Sequence, residues 1–263
     1  MLIDFHTHAF PERIAGRAIA KLSHDAGGLA PQTEGTLESL KARMDTDGVD
    51  LSVVLSIATN PHQMHKVNDF AAEMNADPRI AAFGSVHPDA PDALAELERI
   101  ASMGLKGVKL HPEYQSFYVD EERMKPIYRK LSELGLITVF HAGEDYGYPP
   151  PYHATPERLK NAVRWFDAPV VAAHWGGAGF GTEVLEKLCG ENLYFDLSFG
   201  YAAMPKPVAQ MILDRHGPDK LLFGSDTPWH RPQWELRLLD SLDISEADRE
   251  KIRWQNAAKL LKL

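Results

Sequence analysis

The chain has 263 residues, of which 44% are hydrophobic and 25% are charged, enough to bury one large core. Its net charge of −9 argues against binding to nucleic acid, whose phosphates favour clustered lysine and arginine, but not against a small-molecule substrate. The single cysteine, Cys189, excludes an intramolecular disulfide and a cysteine-based zinc site, as is usual in a reducing cytoplasm.

Short β-rich apolar segments recur along the chain with amphipathic segments between them, the pattern of consecutive βα units. The predicted strands are residues 2–6, 51–57, 80–86, 105–110, 136–141, 170–174, 193–197 and 221–224. The predicted helices are residues 36–44, 63–75, 91–103, 121–133, 156–166, 181–189, 205–215 and 245–261. Such a series of strand–helix pairs favours closure into a (β/α)8 TIM barrel, which typically has roughly 250 residues. We therefore expect a single domain over residues 1–263.

Two stretches, residues 11–35 and 145–155, have the least regular pattern and are expected to be loops. Each follows a predicted strand, where a barrel carries its active-site loops. No apolar run approaches the roughly 18 residues of a membrane helix, and the first residues lack a charged segment followed by an apolar one. We expect no membrane association and a cytoplasmic location.

Metal-binding residue types gather at the predicted strand ends. His6-Thr7-His8 ends the first strand, His141 the fifth and His174 the sixth, and Asp226 follows the last. His6 and His8 have the same parity, so both rings point to one side of the strand. One inward histidine is more often a hydrogen-bonded core residue than a ligand, but burying several such groups together without compensation is costly. His6, His8, His141 and Asp226 would supply the ligands of a zinc-type catalytic site.

The other histidines, His230 among them, are expected to lie on the surface or in loops. A different set of residues, Arg13, Tyr114, Trp175 and Trp229, lies on predicted loops that follow strands. Aromatic rings together with arginine suit a small planar or carboxylated substrate, so these four are expected to bind it. Loop aromatics also pack against neighbouring loops, and the sequence leaves that alternative open.

The order of these segments resembles the amidohydrolase superfamily, and within it the branch of aminocarboxymuconate-semialdehyde decarboxylase. The resemblance is carried by the segments IDFHTH at 3–8, GVKLHP at 107–112, VFHAG at 139–143, AHWGG at 173–177 and FGSDTPW at 223–229. These motifs span the whole chain. The resemblance implies that His6, His8, His141 and Asp226 bind a metal and that His174 is a catalytic group beside it.

Lys109 and His111 share one parity on the fourth predicted strand. In binuclear relatives a lysine at this strand end is carboxylated and bridges two metals. We expect one divalent metal, zinc before manganese, with a second only if Lys109 is carboxylated. Unmodified, Lys109 and His111 would bind a substrate carboxylate or carbonyl. The alternative to a functional role is that the stem of Lys109 is buried in the barrel interior and its amine only reaches the mouth to be solvated.

The expected catalytic residues are Asp226 and His174. A bound metal lowers the pKa of water towards about 7, and Asp226 could take and return a proton with the assistance of His174.

The main hypothesis is hydrolysis of a lactone, ester or amide bond in a small carboxylated molecule by this activated water. The alternative is non-oxidative decarboxylation of an unsaturated or aromatic acid; a chain without the long insertions of such decarboxylases favours hydrolysis. The third hypothesis is a non-catalytic metal-binding barrel. A homo-oligomer is left open.

Overall fold

The computed structural model of the protein describes residues 1–201 and 203–263, in which parallel strands alternate with helices. The strands are β1 (Ile3–Thr7), β2 (Leu51–Leu55), β3 (Ile80–Phe83), β4 (Gly107–Leu110), β5 (Ile137–Phe140), β6 (Val170–Ala172), β7 (Tyr194–Asp196) and β8 (Leu221–Leu222). The helices are α1 (Glu12–Asp25), α2 (Leu37–Asp47), α3 (Met64–Met74), α4 (Ala93–Ser102), α5 (Lys125–Glu133), α6 (Pro156–Val163), α7 (Gly181–Lys187), α8 (Lys206–His216), α9 (Pro232–Ser241), α10 (Glu246–Glu250) and α11 (Asn256–Leu261). The predicted (β/α)8 TIM barrel is confirmed.

Backbone hydrogen bonds close the strands into a ring. β1, β2 and β3 form one parallel sheet, and β4 to β8 form another. The sheets meet where Lys109 N donates to Gly84 O at 2.9 Å, just beyond β3, and where Phe5 N donates to Phe223 O at 2.8 Å, just beyond β8. Because β8 has only two residues, the second junction is made largely by the segment that follows it.

Apolar side chains form two clusters that leave one end of the barrel for polar residues. The larger cluster lies between the strands and the surrounding helices and includes Leu97 and Ile100 of α4. The smaller one joins residues of β1, β2, β3, β5, β6 and β8 with Ala257 and Leu261 of α11, so it fills the ring of strands. Among the described helices, none has the length and apolar character needed to cross a bilayer.

Two helices were not predicted from the sequence. Residues 11–35 were expected to be a loop, but α1 occupies much of this stretch, and its residues Ala15 and Ile19 are buried. Gly16 in its middle weakened the helical pattern. The other is α9. Its start had a signal in the sequence, because Pro232 occupies the first helical position, where proline is favoured.

Candidate active site

His6 and His8 of β1 meet Asp226 at the mouth of the barrel; we call these three residues the metal group. The Nε2 atoms of His8 and His6 lie 3.1 Å and 3.5 Å from Asp226 Oδ1. On the far side of each ring, His6 Nδ1 lies 2.9 Å from Asp196 Oδ2, and His8 Nδ1 lies 2.9 Å from Leu55 O. A carbonyl oxygen or an ionised carboxylate only accepts hydrogen bonds, so each Nδ1 carries a hydrogen and each Nε2 is left to face Asp226.

The protonation states of His6 and Asp226 are those that a metal needs. Burial lowers the pKa of His6 well below its usual value, and the nearby Lys109 lowers it further. Burial raises the pKa of Asp226, but His6 and His8 together bring it below its usual value. At neutral pH the ring of His6 is therefore neutral and Asp226 is an anion, as metal ligands must be.

The spacing of the metal group also fits a divalent ion. When Nε2 of both rings carries no hydrogen, the lone pairs of the two imidazoles and the carboxylate repel one another at these distances, and a cation between them removes that repulsion. Ligand atoms about 2.1 Å from a metal at tetrahedral angles are about 3.4 Å apart, close to the separations found. Hydrogen bonds from Nδ1 to a carboxylate and to a backbone carbonyl are the usual way in which metal-binding histidines are oriented.

Lys109 extends from β4 to the metal group. Its side chain is fully buried, and Nζ lies 3.5 Å from His6 Nε2. Burial lowers the pKa of this amine to about 8, so the neutral amine is well populated in mildly alkaline solution. Lys109 thus lies beside the predicted ligands, while its carboxylation and the number of metals stay predictions.

His174 and His141 lie next to the metal group. His174 Nε2 is 3.2 Å from His141 Nδ1, and the rings of His174 and His6 are 4.9 Å apart. His141 Nε2 faces Glu144 O at 3.2 Å. The structure thus brings three of the four expected ligands together and places His141 beside them, in contact with His174. A metal-binding role for His141 stays a prediction.

His111, His141 and Asp145 form a second cluster of metal-binding residue types. The rings of His111 and His141 stack with their centroids 4.2 Å and their planes 15° apart. Parallel rings direct their lone pairs side by side rather than towards one point, which suits a metal poorly. His111 Nε2 lies 3.4 Å from Asp145 Oδ2. Burial raises the pKa of Asp145, but the contact with His111 brings it below its usual value, so we interpret the cluster as a polar wall.

The metal group opens into a cavity of about 640 Å³. Most of the expected substrate-binding residues line it, namely Arg13, Lys109, His111, Tyr114 and Trp229. Trp175 was expected to bind substrate but does not line the cavity. Its side chain is only 2% exposed and belongs to the larger apolar cluster. Residues 174 and 175 both have positive φ, so the side chains here do not follow the alternation of an extended strand. Trp175 is therefore a core residue.

Other residues of the site were missed in the sequence. Asp196, which orients His6, ends β7, so the search for ionisable residues at strand ends could have found it. His230 lies in a loop, as expected, but it is only 5% exposed: it stacks on Phe199 of the cavity wall with centroids 4.0 Å apart and lies 2.7 Å from Glu235. This pair joins a loop to α9, and no local pattern signals such a contact.

A family model described as amidohydrolase matches residues 3–263, and no curated protein matches the chain. Similar solved structures include 5-carboxyvanillate decarboxylase from Sphingomonas paucimobilis, with a TM-score of 0.75, 17% identity and coverage of 100% of this chain and 99% of that one. Dihydroxybenzoic acid decarboxylase from Polaromonas sp. JS666, with bound manganese and the inhibitor 2-nitroresorcinol, has a TM-score of 0.76, 19% identity and coverage of 100% and 97%. An uncharacterised TIM-barrel protein from Bordetella bronchiseptica has a TM-score of 0.79, 20% identity and coverage of 99% and 98%.

Proposed function

Because the chain belongs to the amidohydrolase family, as its motifs indicated, we propose that it is a metal-dependent decarboxylase of a small aromatic or unsaturated acid. The observation that carries this proposal is the metal group at the base of a cavity with many apolar walls. A carboxylate that enters such a cavity loses hydration, whereas carbon dioxide needs none. The environment therefore favours loss of a carboxyl group.

The similar structures support decarboxylation over the hydrolysis expected from the sequence. Two of them are named as decarboxylases of aromatic acids. The expectation of hydrolysis relied on long insertions that the chain was thought to lack. Coverage of 99% and 97% of the two decarboxylases removes that argument.

His6, His8 and Asp226 would hold one divalent ion, with His141 as a nearby fourth candidate. Manganese becomes as strong a candidate as zinc, because the Polaromonas decarboxylase contains it. When bound, the ion would polarise a carboxylate or phenolate oxygen of the substrate. The fully buried Lys109 is placed to bind a second oxygen of the same acid while its amine is protonated.

In the reaction, the bond between the carboxyl carbon and its neighbour breaks, carbon dioxide leaves, and the electron pair stays on the neighbouring carbon, which takes up a proton. We assign delivery of that proton to His174. Burial lowers the pKa of His174 well below its usual value and that of His141 to about 4, so both rings are neutral at pH 7. Their 3.2 Å contact holds a single hydrogen, so when His174 gives its proton to the carbon, His141 passes on a proton taken from solvent and both rings are neutral again. Ser198 Oγ, 2.9 Å from Nδ1, orients the His174 ring.

Hydrolysis of a lactone, ester or amide is the second candidate, and one observation favours it. Lys109 Nζ lies 3.5 Å from His6 Nε2, on the strand from which binuclear relatives supply a carboxylated lysine. In that case we expect two metals per chain and a carbamate on Lys109. Metal content and the intact mass of the protein decide between these states.

Activity of the metal-reconstituted protein tests the proposal. The protein is loaded with manganese or zinc and incubated with hydroxybenzoates, 5-carboxyvanillate, lactones and anilides. We expect carbon dioxide and the decarboxylated product in equal amounts from an aromatic acid. The His174→Asn variant should lower kcat by about 10²-fold or more with unchanged metal content, and His62→Asn, in an exposed position, is the matched control.

Three outcomes contradict the proposal. Acid release from lactones or anilides without carbon dioxide would establish hydrolysis. A metal-loaded protein inert towards every class would point to the non-catalytic barrel. An unchanged kcat in His174→Asn would remove His174 from proton delivery.

A further inference from the structure

The cavity extends well beyond the metal group, towards α1 and α3. Its outer walls include Ile14 and Leu22 of α1 and Val67 and Phe70 of α3. A volume of about 640 Å³ lies within the roughly 300–1,000 Å³ of sites that enclose drug-sized ligands. A benzoate ring at the metal group would leave water against these apolar walls, which is unfavourable. The walls therefore fit an additional hydrocarbon or aryl arm.

Three cationic side chains stand along the rim of this apolar part, namely Arg13, Arg17 and Lys66. Arg13 and Arg17 are one helical turn apart on α1, so their like charges repel each other. Across residues 1–201 and 203–263, none of the three forms an ion pair, whereas their neighbour Lys21 lies 2.7 Å from Asp25. Three cations without an ion-pair partner thus lie along the same cavity in a chain whose net charge is −9, which indicates an anionic ligand.

The acidic residues of the cavity wall belong to other elements than this rim. Asp226 belongs to the metal group, and Glu144 and Asp145 follow β5, with Asp145 in contact with His111. In the described part of α1 and α3, no carboxylate lines the cavity. The cavity thus has a cationic rim, an apolar middle and a metal group at its base.

We propose that the substrate is an amphiphile with an anionic group at each of its two ends. One carboxylate lies at the metal group, an apolar arm lies between α1 and α3, and a terminal carboxylate or phosphate binds Arg13, Arg17 and Lys66. Guanidinium groups suit either terminal group, because they donate two parallel hydrogen bonds to planar or tetrahedral oxyanions. This inference rests on the proposed function, which supplies the carboxylate at the metal group.

Binding of matched probes to the metal-loaded protein tests this inference without turnover. The probes are 4-pentylbenzoate, 5-(4-carboxyphenyl)pentanoate and 4-(4-carboxyphenyl)butyl phosphate, which share the ring carboxylate and have arms of similar length. Calorimetric titration at low ionic strength gives the Kd of each. We expect at least one of the two probes with an anionic arm to bind about tenfold more tightly than 4-pentylbenzoate, and the tighter of the two identifies the terminal group.

Substitution of the rim separates this anion site from general charge effects. The double variant Arg13→Gln/Arg17→Gln should remove most of the preference for the probe with an anionic arm and leave the Kd of 4-pentylbenzoate within about twofold. Arg237→Gln is the matched control, because Arg237 is an exposed arginine of α9 outside the cavity wall, and it should keep the preference.

Two results would overturn the inference: equal affinity for all three probes, or a preference that survives the double substitution. Failure of the decarboxylase proposal has a different signature. In that case no acid releases carbon dioxide in a separate assay on the same preparation, while the preference among the probes and its loss in the double variant remain.

Discussion

The orientation of the His6 ring depends on a carboxylate that is fully buried behind it. Asp196 Oδ2 accepts the hydrogen bond from His6 Nδ1 at 2.9 Å, and its Oδ1 accepts one from the backbone N–H of His174 at 3.2 Å. Asparagine has nearly the same size but no charge, so Asp196→Asn weakens the orientation and the basicity of His6. We expect this variant to bind its metal about 10- to 100-fold more weakly, measured by competition with a chromogenic chelator.

The matched control for this prediction is Asp243→Asn, because Asp243 is exposed and remote from the metal group. It should bind metal as the unmodified protein does. If Asp196→Asn, with an unchanged circular dichroism spectrum, kept full metal affinity, Asp196 would have no part in orienting His6.

At the scale of single residues, the sequence predicted which side chains reach the barrel mouth, because the carboxyl ends of parallel strands meet there. His6, His8 and Asp226 come together for this reason. The direction of each ring depends on neighbours that are remote in sequence. His141 ends β5 as expected, but it stacks on His111 of the β4 segment, and its Nε2 faces Glu144 O. No strand pattern contains that information.

At the scale of elements, two glycines with open surroundings should respond to alanine in opposite ways. Gly16 lies within α1, and Gly48 follows α2 with a φ of 73°. A Cβ atom would meet nothing within 4 Å at either position. Gly16→Ala should stabilise the protein by about 1 kcal/mol, because alanine favours the helix. Gly48→Ala should destabilise it by about 1 kcal/mol, because a left-handed conformation strains alanine.

Thermal unfolding of these two variants measures the difference. One kcal/mol corresponds to a change in Tm of about 2–4 °C in a chain of this size, so the two Tm values should lie on either side of that of the unmodified protein. A shift of both variants in the same direction would contradict the argument from backbone conformation.

Elements with a single apolar stripe were predicted well, and α1 shows why others were not. Ala15 and Ile19 are buried, Ile19 beside Gly35, while Ile14, Ala18 and Leu22 line the cavity. Its apolar residues therefore serve two surfaces and do not form the narrow stripe typical of a barrel helix. The cavity wall that they form is also the part of the candidate site that strand-end residues could not reveal.

At the scale of the whole molecule, the metal group spans the junction at which the barrel closes. His6 and His8 belong to β1, Asp226 follows the two-residue β8, and Asp226 N donates to His6 O at 2.8 Å. The closed barrel could be predicted from the repeated strand–helix pattern, whereas this short last strand could not. The single domain over residues 1–263 stays a prediction. A metal that binds both sides of the junction would link the first strand to the last.

We therefore expect metal binding to stabilise the barrel as a whole. A ligand that binds only the folded state at about 100 times its Kd contributes about 2.7 kcal/mol, so manganese or zinc should raise the Tm by about 5–10 °C over the chelated protein. Differential scanning fluorimetry with and without a chelator measures this shift. Asp226→Asn should lose most of it, because one side of the junction then lacks its charged ligand, whereas Asp243→Asn should retain it. Equal Tm values for the loaded and the chelated protein would mean that the metal group holds no ion.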